Sequence, residues 1–526
     1  MARKRTLPLI EDFDSIPEEA LVPEEEQPYP IPEHWKWVRW GSVGEFTSGT
    51  GFPKHRQGNP EGDYPFFKVG SLKDAEPNGF LSFCANYIDE CIRSELRAKV
   101  IPAGSLVFAK IGEAIRLNRR ALLVQSSCID NNLFAFTPAR TLSNRFLYLW
   151  ASSIDLYPYA VATGAPSIRK SVLEQIPFPL PPLEEQGRIV EYIEQTNAKI
   201  DDVIQRLNQY IEEAPNRRAE LIQAGVSGVL TKNWRDGRGN SADKSESMAP
   251  EDARKWGSSQ ILSRKHPKCD EGIAPSISSS ELLEKSAVKK SKKLPLIADF
   301  DNIPEEALVP EAEQPYKIPE HWKWARLGAL LKYVQRGKGP KYANLETGYL
   351  AVSQKCVRWE GLDLTQARPW VASSFQDLND VRLLREQDLL WNSTGTGTIG
   401  RIAVVPPLRE NLRDRLAADS HVTVMRTTGL LDSKYLFYFI SSIHIQGQVE
   451  DGLASGSTNQ KELGLAVIKS LPTPLPLLDE QKEIACLLDA ALSRVELNME
   501  LVQEVLDKVR GLRQQLISAA LAGKLA

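Results

Sequence analysis

The chain has 526 residues, 42% of them apolar, and a formal net charge of −3. It is too long for one hydrophobic core and has apolar material for at least two, so a multidomain protein is expected. The six cysteines (Cys84, Cys91, Cys128, Cys269, Cys356, Cys486) form no CxxC pair or His-flanked metal spacing, and no apolar run approaches the roughly 20 residues that cross a bilayer, which excludes a zinc module and a membrane span.

At the start, the basic run Ala2 to Arg5 is followed by acids from Glu11 before any apolar core has formed, so no secretory leader is expected and reduced thiols in a cytoplasm fit best. Residues 1–32 form an acidic arm. Glu11 to Glu26 carries eight acids and no base, and Pro17, Pro23, Pro28, Pro30 and Pro32 preclude long regular structure. A globular segment follows at 33–180, then a helical region at 181–230. Residues 231–293, rich in Ser, Lys, Asp and Glu, read as a flexible linker. A second acidic arm at 294–319 has six acids and no base between Asp299 and Glu313, and a second globule at 320–474 and a second helical region at 475–526 complete the chain. The arms suit either a docking role or a solvated spacer.

The order of these segments is a duplication. Leu7 to Gly41 aligns without gaps to Leu294 to Gly328 with 29 of 35 positions identical, including Ile31-Pro-Glu-His-Trp-Lys-Trp37 and Ile318-Pro-Glu-His-Trp-Lys-Trp324. Pro179-Leu-Pro-Pro-Leu-Glu-Glu-Gln186 matches Pro474-Leu-Pro-Leu-Leu-Asp-Glu-Gln481, and Leu221 to Gly228 matches Leu516 to Gly523 at the same offset of 295. Fixed spacing across such a stretch predicts a rod, since a loop would tolerate insertions. Leu488, Val495, Val502, Val509 and Leu516 recur every seven residues, with Ala491, Asn498, Val505, Leu512 and Ala519 three places on. Ile193, Ile200, Leu207, Ala214 and Leu221 repeat the phase in the first half, with Thr196, Val203, Tyr210, Arg217 and Ala224 three on, as a coiled-coil seam requires. Pro215 interrupts this rod and predicts a bend or break.

The globules hold short apolar runs such as Tyr64 to Val69, Ser105 to Ala109 and Ala121 to Val124, punctuated by Gly, Pro and Asn, which read as strands and turns. Arg145 to Trp150 and Lys434 to Phe439 read as short helices, giving an α+β class. Residues 33–180 carry 17 Lys/Arg against 13 Asp/Glu, and 320–474 carry 19 against 15, an excess of about four each that the acidic arms hide in the whole-chain charge. No catalytic constellation stands out. Gly395-Thr-Gly-Thr-Ile-Gly400 fits GxGxxG but precedes a strand pattern rather than a helix, no phosphate-binding P-loop is present, and His34 and His321 sit in Trp-rich packing contexts that suit structural roles. The remaining candidates are polar, basic, glycine-permitted loops. In the first globule these carry Lys54, Arg56, Lys110, Arg116, Asn118, Arg119 and Arg120. In the second they carry Arg336, Lys338, Lys341, Ser393, Thr394, Thr396, Thr398 and Arg401. Arg reads guanine and Asn reads adenine, while Lys, Ser and Thr hold phosphates, so these residues are candidate DNA contacts.

The Pro-Glu-His-Trp-Lys-Trp motifs, the Leu-Pro-(Pro/Leu)-Leu-(Glu/Asp)-Glu-Gln motifs and the helices ending near Leu230 and Leu525 resemble type I restriction-modification specificity subunits. Ser48-Gly-Thr-Gly-Phe-Pro53, Ile129-Asp-Asn-Asn132 and Asn392 to Arg401 are similar to stretches of that family. The resemblance implies two target recognition domains, 33–180 and 320–474, separated by two long helices packed as an antiparallel coiled coil in a pseudo-two-fold arrangement. It further implies a non-catalytic chain that binds double-stranded DNA with two methyltransferase subunits and restriction/translocase subunits, with no membrane. S-adenosylmethionine, ATP and Mg would bind those partners. A methyltransferase or nuclease with an unrecognised site, or a coiled-coil scaffold without DNA contact, is the alternative.

Overall fold

The structure, a computed structural model, describes residues 7–161, 165–239, 294–395, 397–454 and 461–524. It is α+β and divides into two units, Met1–Tyr210 with Val502–Ala526, and Ile211–Leu501. The division falls inside both long helices, so each unit takes the first part of one and the last part of the other.

In the first unit the globule is closed by strand β1 (Lys36–Arg39), paired antiparallel with β7 (Pro177–Leu180) so that Lys36 faces Leu180. Between them β2 (Gly44–Ser48), β3 (Phe80–Leu81), β4 (Leu106–Ala109), β5 (Arg120–Leu123) and β6 (Leu133–Pro138) form a five-stranded sheet in the order β2-β6-β4-β5-β3. Both of its faces are buried. Phe46, Leu106, Phe108, Leu122 and Phe136 point into a core with Trp40 and Trp150, whereas Val107, Ala121, Leu123 and Ala135 face a second cluster around Phe67 and Leu72. A strand covered on both sides reads as a continuous apolar run rather than an alternation, which is why Leu106 to Ala109 contains no polar residue.

The second unit repeats the plan. Strand β8 (Lys323–Arg326) pairs with β13 (Pro472–Leu475), and β9 (Leu331–Arg336), β10 (Leu389–Asn392), β11 (Ile402–Val404) and β12 (Val422–Thr427) lie in the order β9-β12-β10-β11. The first unit's β2-β6-β4-β5 has the same order, so the globules share a sheet that their sequences conceal.

The Glu-Gln motif ties each globule to its helix. The buried Gln186 side-chain carbonyl accepts from Ser143 N at 2.8 Å, and its amide donates to Thr141 O and Pro181 O, both at 2.9 Å. Gln481 repeats the arrangement with Asp432 N, Leu430 O and Pro476 O. Ser143 and Asp432 cap the short helices Asn144–Ser153 and Ser433–Ile440. Each glutamine therefore joins a helix cap to the start of a rod.

The rods are Leu183–Val226 and Leu478–Leu521, 44 residues each. In the second unit Arg218 pairs with Glu496 while Gly225 lies against Leu488 and Ile484, so the helical parts run antiparallel there. In the first unit Arg513 pairs with Asp201, and Ala520 and Leu521 share a core with Val190 and Ile193, again antiparallel. The expected seam is shifted by one residue in the second rod, where Leu488, Val495, Val502, Val509 and Leu516 turn inward with companions four places on, at Leu492, Met499, Leu506, Arg513 and Ala520. In the first rod Ile193, Ile200, Leu207, Ala214 and Leu221 turn inward too, and the positions three and four on are alike half-buried apart from the exposed Val203 and the buried Gly225. Val203, Val505 and Leu512, expected inside, are 41%, 44% and 52% exposed. Both stripes of the second rod have a mean period of 3.5, and the inward one hides behind Arg513, whose stem packs while its head reaches an acid.

Of the bend or break expected at Pro215 the break does not occur, since the helix continues through it to Val226. Pro215 is exposed, so water can satisfy the carbonyl of Ile211 that loses its amide partner. The start of the expected linker is also corrected, since Lys232–Gly239 is helical; residues 240–293 lie outside the described part. The acidic arms pack on their own globules. Ile10 N donates to Ser42 O at 2.8 Å and Val22 N to Trp37 O at 3.0 Å, with Glu26 on Arg39. Ile297, Val309 and the Glu313–Arg326 pair do the same in the second unit.

Each rod ends on a left-handed glycine, Gly228 (φ +80°) or Gly523 (φ +67°). A Cβ on Gly228 would lie 2.7 Å from the Pro319 ring, and one on Gly523 2.3 Å from that of Pro32. Beside Gly228, the buried Glu480 accepts from Arg235 and Thr231 on one oxygen and from Trp322 and His321 on the other, at 2.5 to 3.0 Å. Burial pushes its pKa up, but those four donors outweigh burial and hold it below the ordinary 4.5.

The rods and their ends are open to three substitutions. Gly228→Ala should destabilise the protein by about 1–3 kcal/mol through backbone strain and the proline contact. Gly511→Ala, in open space within the second rod, should stabilise it by about 0.5–1 kcal/mol, and denaturant titration reads both. Because the folded pKa of Glu480 is depressed, its contribution is present above about pH 4.5 and lost as the pH falls through the folded value. Glu480→Gln should therefore lower the melting temperature at pH 7 and shallow its fall on acidification.

Candidate nucleic-acid interface

Most of the candidate residues gather where β2, β4 and β6 of the first unit, and β9, β10 and β12 of the second, meet their loops. After β2, Gly49 crosses the Ile129-Asp130 backbone so closely that a Cβ would sit 2.0 Å from Asp130 O, and Thr50 N donates to Ile129 O. Asp130 Oδ1 accepts from Asn132 N at 2.9 Å, which forms the turn into β6. Lys110, the residue after β4, donates its backbone N to Asn132 O and its Nζ to Ser48 Oγ at 2.5 Å, over the Phe134 ring. Burial lowers the Lys110 pKa against the pull of Asp130, and burial raises that of Asp130.

The second unit builds the same corner with other side chains. Gly337 follows β9 and would place a Cβ 2.1 Å from Ala418 O, while Asp419 Oδ1 accepts from His421 N at 2.9 Å. Ser393, in the place of Lys110, donates its N to His421 O. Thr394 Oγ1 meets His421 Nδ1 at 2.6 Å, and Thr398 Oγ1 donates to Gln354 Oε1 at 2.9 Å. Buried Asn392 holds the loop by donating to Gln354 O and Thr398 O. Gly395 (φ +107°) and Gly400 (φ +89°) supply conformations that side chains resist.

The structure sorts the candidates by what they touch. Lys54, Arg119, Lys338 and Lys341 are exposed and have no side-chain partner among the described residues. Among the described residues the Arg401 guanidinium reaches only Gly397 O, at 3.1 Å. Arg56 is paired with Glu95, Arg336 with Glu462, and Arg116 with Glu113 while it covers the Tyr157 ring. Asn118 adopts φ +50° and donates to Ile154 O. Two residues expected at the surface are not there. Arg120 is 6% exposed and donates to Asn118 O and Ile154 O, its pKa brought down to about 10 by burial. Ser393 is fully buried with its hydroxyl against Thr423. Thr396 lies outside the described residues. Ser48, Gln354, Asp419 and His421 were missed. The recurrence of an aspartate two places before Asn132 and His421, each followed by an apolar strand, was the available signal for the last two.

No helix among the described residues is long and apolar enough to cross a membrane, and none of the described His, Cys, Asp and Glu residues form a group of three able to hold a metal. What the fold and the two corners define is a duplicated α+β protein that presents two differently dressed loop surfaces on one frame. The family model for the type I restriction modification DNA specificity domain matches residues 32–213 and 319–507, and the chain belongs to that family.

The chain is 21% identical over 505 residues to the type I restriction enzyme MjaVIII specificity subunit of Methanocaldococcus jannaschii, covering 94% of both chains. It is 24% identical over 217 residues to the EcoDI specificity subunit of Escherichia coli and 22% identical over 355 residues to that bacterium's EcoAI specificity subunit. These matches cover 39% and 60% of this chain, and about half the length of each relative, 44% and 54%. In fold it is similar to the HsdS subunit of Thermoanaerobacter tengcongensis, with a TM-score of 0.56 at 17% identity over 95% of this chain and 99% of that one.

The different surroundings of two adjacent arginines are testable by stability. Arg120→Ala removes a buried guanidinium, taking the donor from Asn118 O and one of the two donors from Ile154 O, and should cost about 1–3 kcal/mol, whereas Arg119→Ala should change stability by less than about 0.5 kcal/mol, both read by denaturant unfolding.

Proposed function

We propose that this chain is the DNA sequence-recognition subunit of a type I restriction-modification complex. Each globule reads one half of a bipartite, asymmetric site in double-stranded DNA. The observation that carries this is the repeated sheet corner with exchanged side chains: Lys110, Asp130 and Asn132 in one unit, Ser393, Asp419 and His421 in the other. Family membership supports the setting. Two equal frames with different polar edges suit two different half-sites, since base edges are read by side-chain identity and phosphates by cations. The exposed Lys54, Arg119, Lys338 and Lys341 suit backbone contacts, and Arg401, Thr394, Thr396 and Thr398 suit the second half-site. Rods of 44 residues, about 65 Å if straight, set the number of base pairs between half-sites.

Catalysis belongs to the partners in this reading. Two methyltransferase subunits would supply adenine methylation with S-adenosylmethionine, and restriction/translocase subunits would cut DNA with ATP and Mg. The chain by itself binds none of these cofactors. The test is domain exchange. Replacing residues 33–180 by the equivalent domain of another family member, in cells that carry the whole system, should change one half of the methylated sequence and leave the other half intact. Methylome sequencing reads the outcome. A change in both halves, or methyl transfer by the purified chain alone, overturns the proposal.

A further inference from the structure

The carboxylate at the start of each rod has a duplicate, and the duplicates are not equally occupied. Glu480 is enclosed by four donors: His321 and Trp322 from its own globule, and Thr231 and Arg235 from the segment that follows the first rod. Arg235 also donates to Gly228 O at 2.6 Å and lies 6.0 Å over the Trp322 ring. A guanidinium therefore bridges a buried carboxylate and the carbonyl of a helix-ending glycine, beside an indole.

Every part of that receptor recurs in the first unit. Glu185 takes the place of Glu480, His34 of His321, Trp35 of Trp322 and Gly523 of Gly228. His34 Nε2 meets Glu185 Oε2 at 2.8 Å, and Gly523 sits on Pro32 and Trp35 as Gly228 does on Pro319 and Trp322. Among the described residues no guanidinium stands in the place of Arg235. Among the described residues Glu185, with a side chain 9% exposed, is met by His34 alone, and the indole N–H of Trp35, a residue 3% exposed, is buried without an acceptor. At the offset of 295 Thr231 is matched by Ala526, which carries no hydroxyl. A buried carboxylate met by a single donor carries a desolvation cost that a further donor lowers, and the unpaired indole N–H beside it marks the place as incompletely filled.

We propose that Glu185, His34, Trp35 and the Gly523 carbonyl form a socket for the guanidinium of an arginine presented on a turn of helix by a protein partner. The shape of the occupant comes from this chain's own second unit, where a threonine and an arginine four residues apart on a helical turn fill the matching place. The charge comes from Glu185. Arginine rather than lysine fits, because one planar head must reach a carboxylate and a carbonyl together. That the occupant arrives on a partner rests on the reading of this chain as one subunit of a complex.

The test supplies the occupant covalently. In the full chain, Ala526 is replaced by the nine-residue sequence Thr-Lys-Asn-Trp-Arg-Asp-Gly-Arg-Gly, copied from residues 231–239. Filling the socket should raise the melting temperature by about 2–4 °C, and the rise should vanish when Glu185→Gln is added. No rise, or a rise that survives Glu185→Gln, overturns the socket. Titration with the methyltransferase subunit then addresses the occupant: the extended chain should bind at least ten-fold more weakly than the parent. Equal binding by a stabilised chain overturns the partner assignment. If the parent itself does not bind that subunit, the complex reading fails, and the partner assignment with it, while the melting shift still decides the socket.

Discussion

A proline ring and an indole seated on a helix-ending glycine hold each unit together, and in both units the glycine comes from the opposite half of the duplication. Pro32 and Trp35 rest on Gly523, and Pro319 and Trp322 on Gly228, so neither globule is completed by the rod that directly follows it. The glycine must have no Cβ for two reasons, its left-handed φ and the closeness of the ring. This contact makes the duplication reciprocal. Each repeat supplies the seat that the other needs.

From that seat the geometry runs outward along a chain of buried polar groups. Glu185 or Glu480 lies in the first turn of a rod, and the next residue, Gln186 or Gln481, fixes the cap of a short helix in the globule. Within the sheets, apolar layers on both faces leave the strands little freedom, so the loops at the β2, β4 and β6 ends are set on a rigid support. Variation is then tolerated where the frame does not depend on side-chain identity. Lys110 and Ser393 occupy one position with the same backbone bond and different chemistry, and Asn132 and His421 do likewise. A frame of this kind lets the chemistry of the loops change without altering the fold.

Not every basic residue in those loops is available for recognition. Arg120 is used up in holding Asn118 and Ile154, and Arg56, Arg116 and Arg336 are engaged by acids. An acid-bound arginine is still able to exchange partners at an exposed site, where a pair contributes about 0–1 kcal/mol, but a buried arginine bonded to carbonyls is not.

The sequence by itself determined the duplication, the α+β class, the extent of the rods and the loops that carry the candidate contacts, because repeats, proline stops and seven-residue spacing are local patterns that survive without contacts. It left the rest to tertiary structure. The seam phase of the second rod was decided by which stripe meets a partner helix: Val505 and Leu512 are apolar yet outward, while Arg513 is half-buried with Asp201 opposite. Pro215 was read as a bend or break because helix propensity counts the lost hydrogen bond, but the helix runs on through it, its exposed position leaving the freed carbonyl to water. The common sheet of the two globules was invisible since a strand order depends on pairings between residues far apart in the chain. The inward turn of Arg120, and the unequal surroundings of Glu185 and Glu480, were likewise decided in three dimensions, where a charge is worth what its neighbours supply.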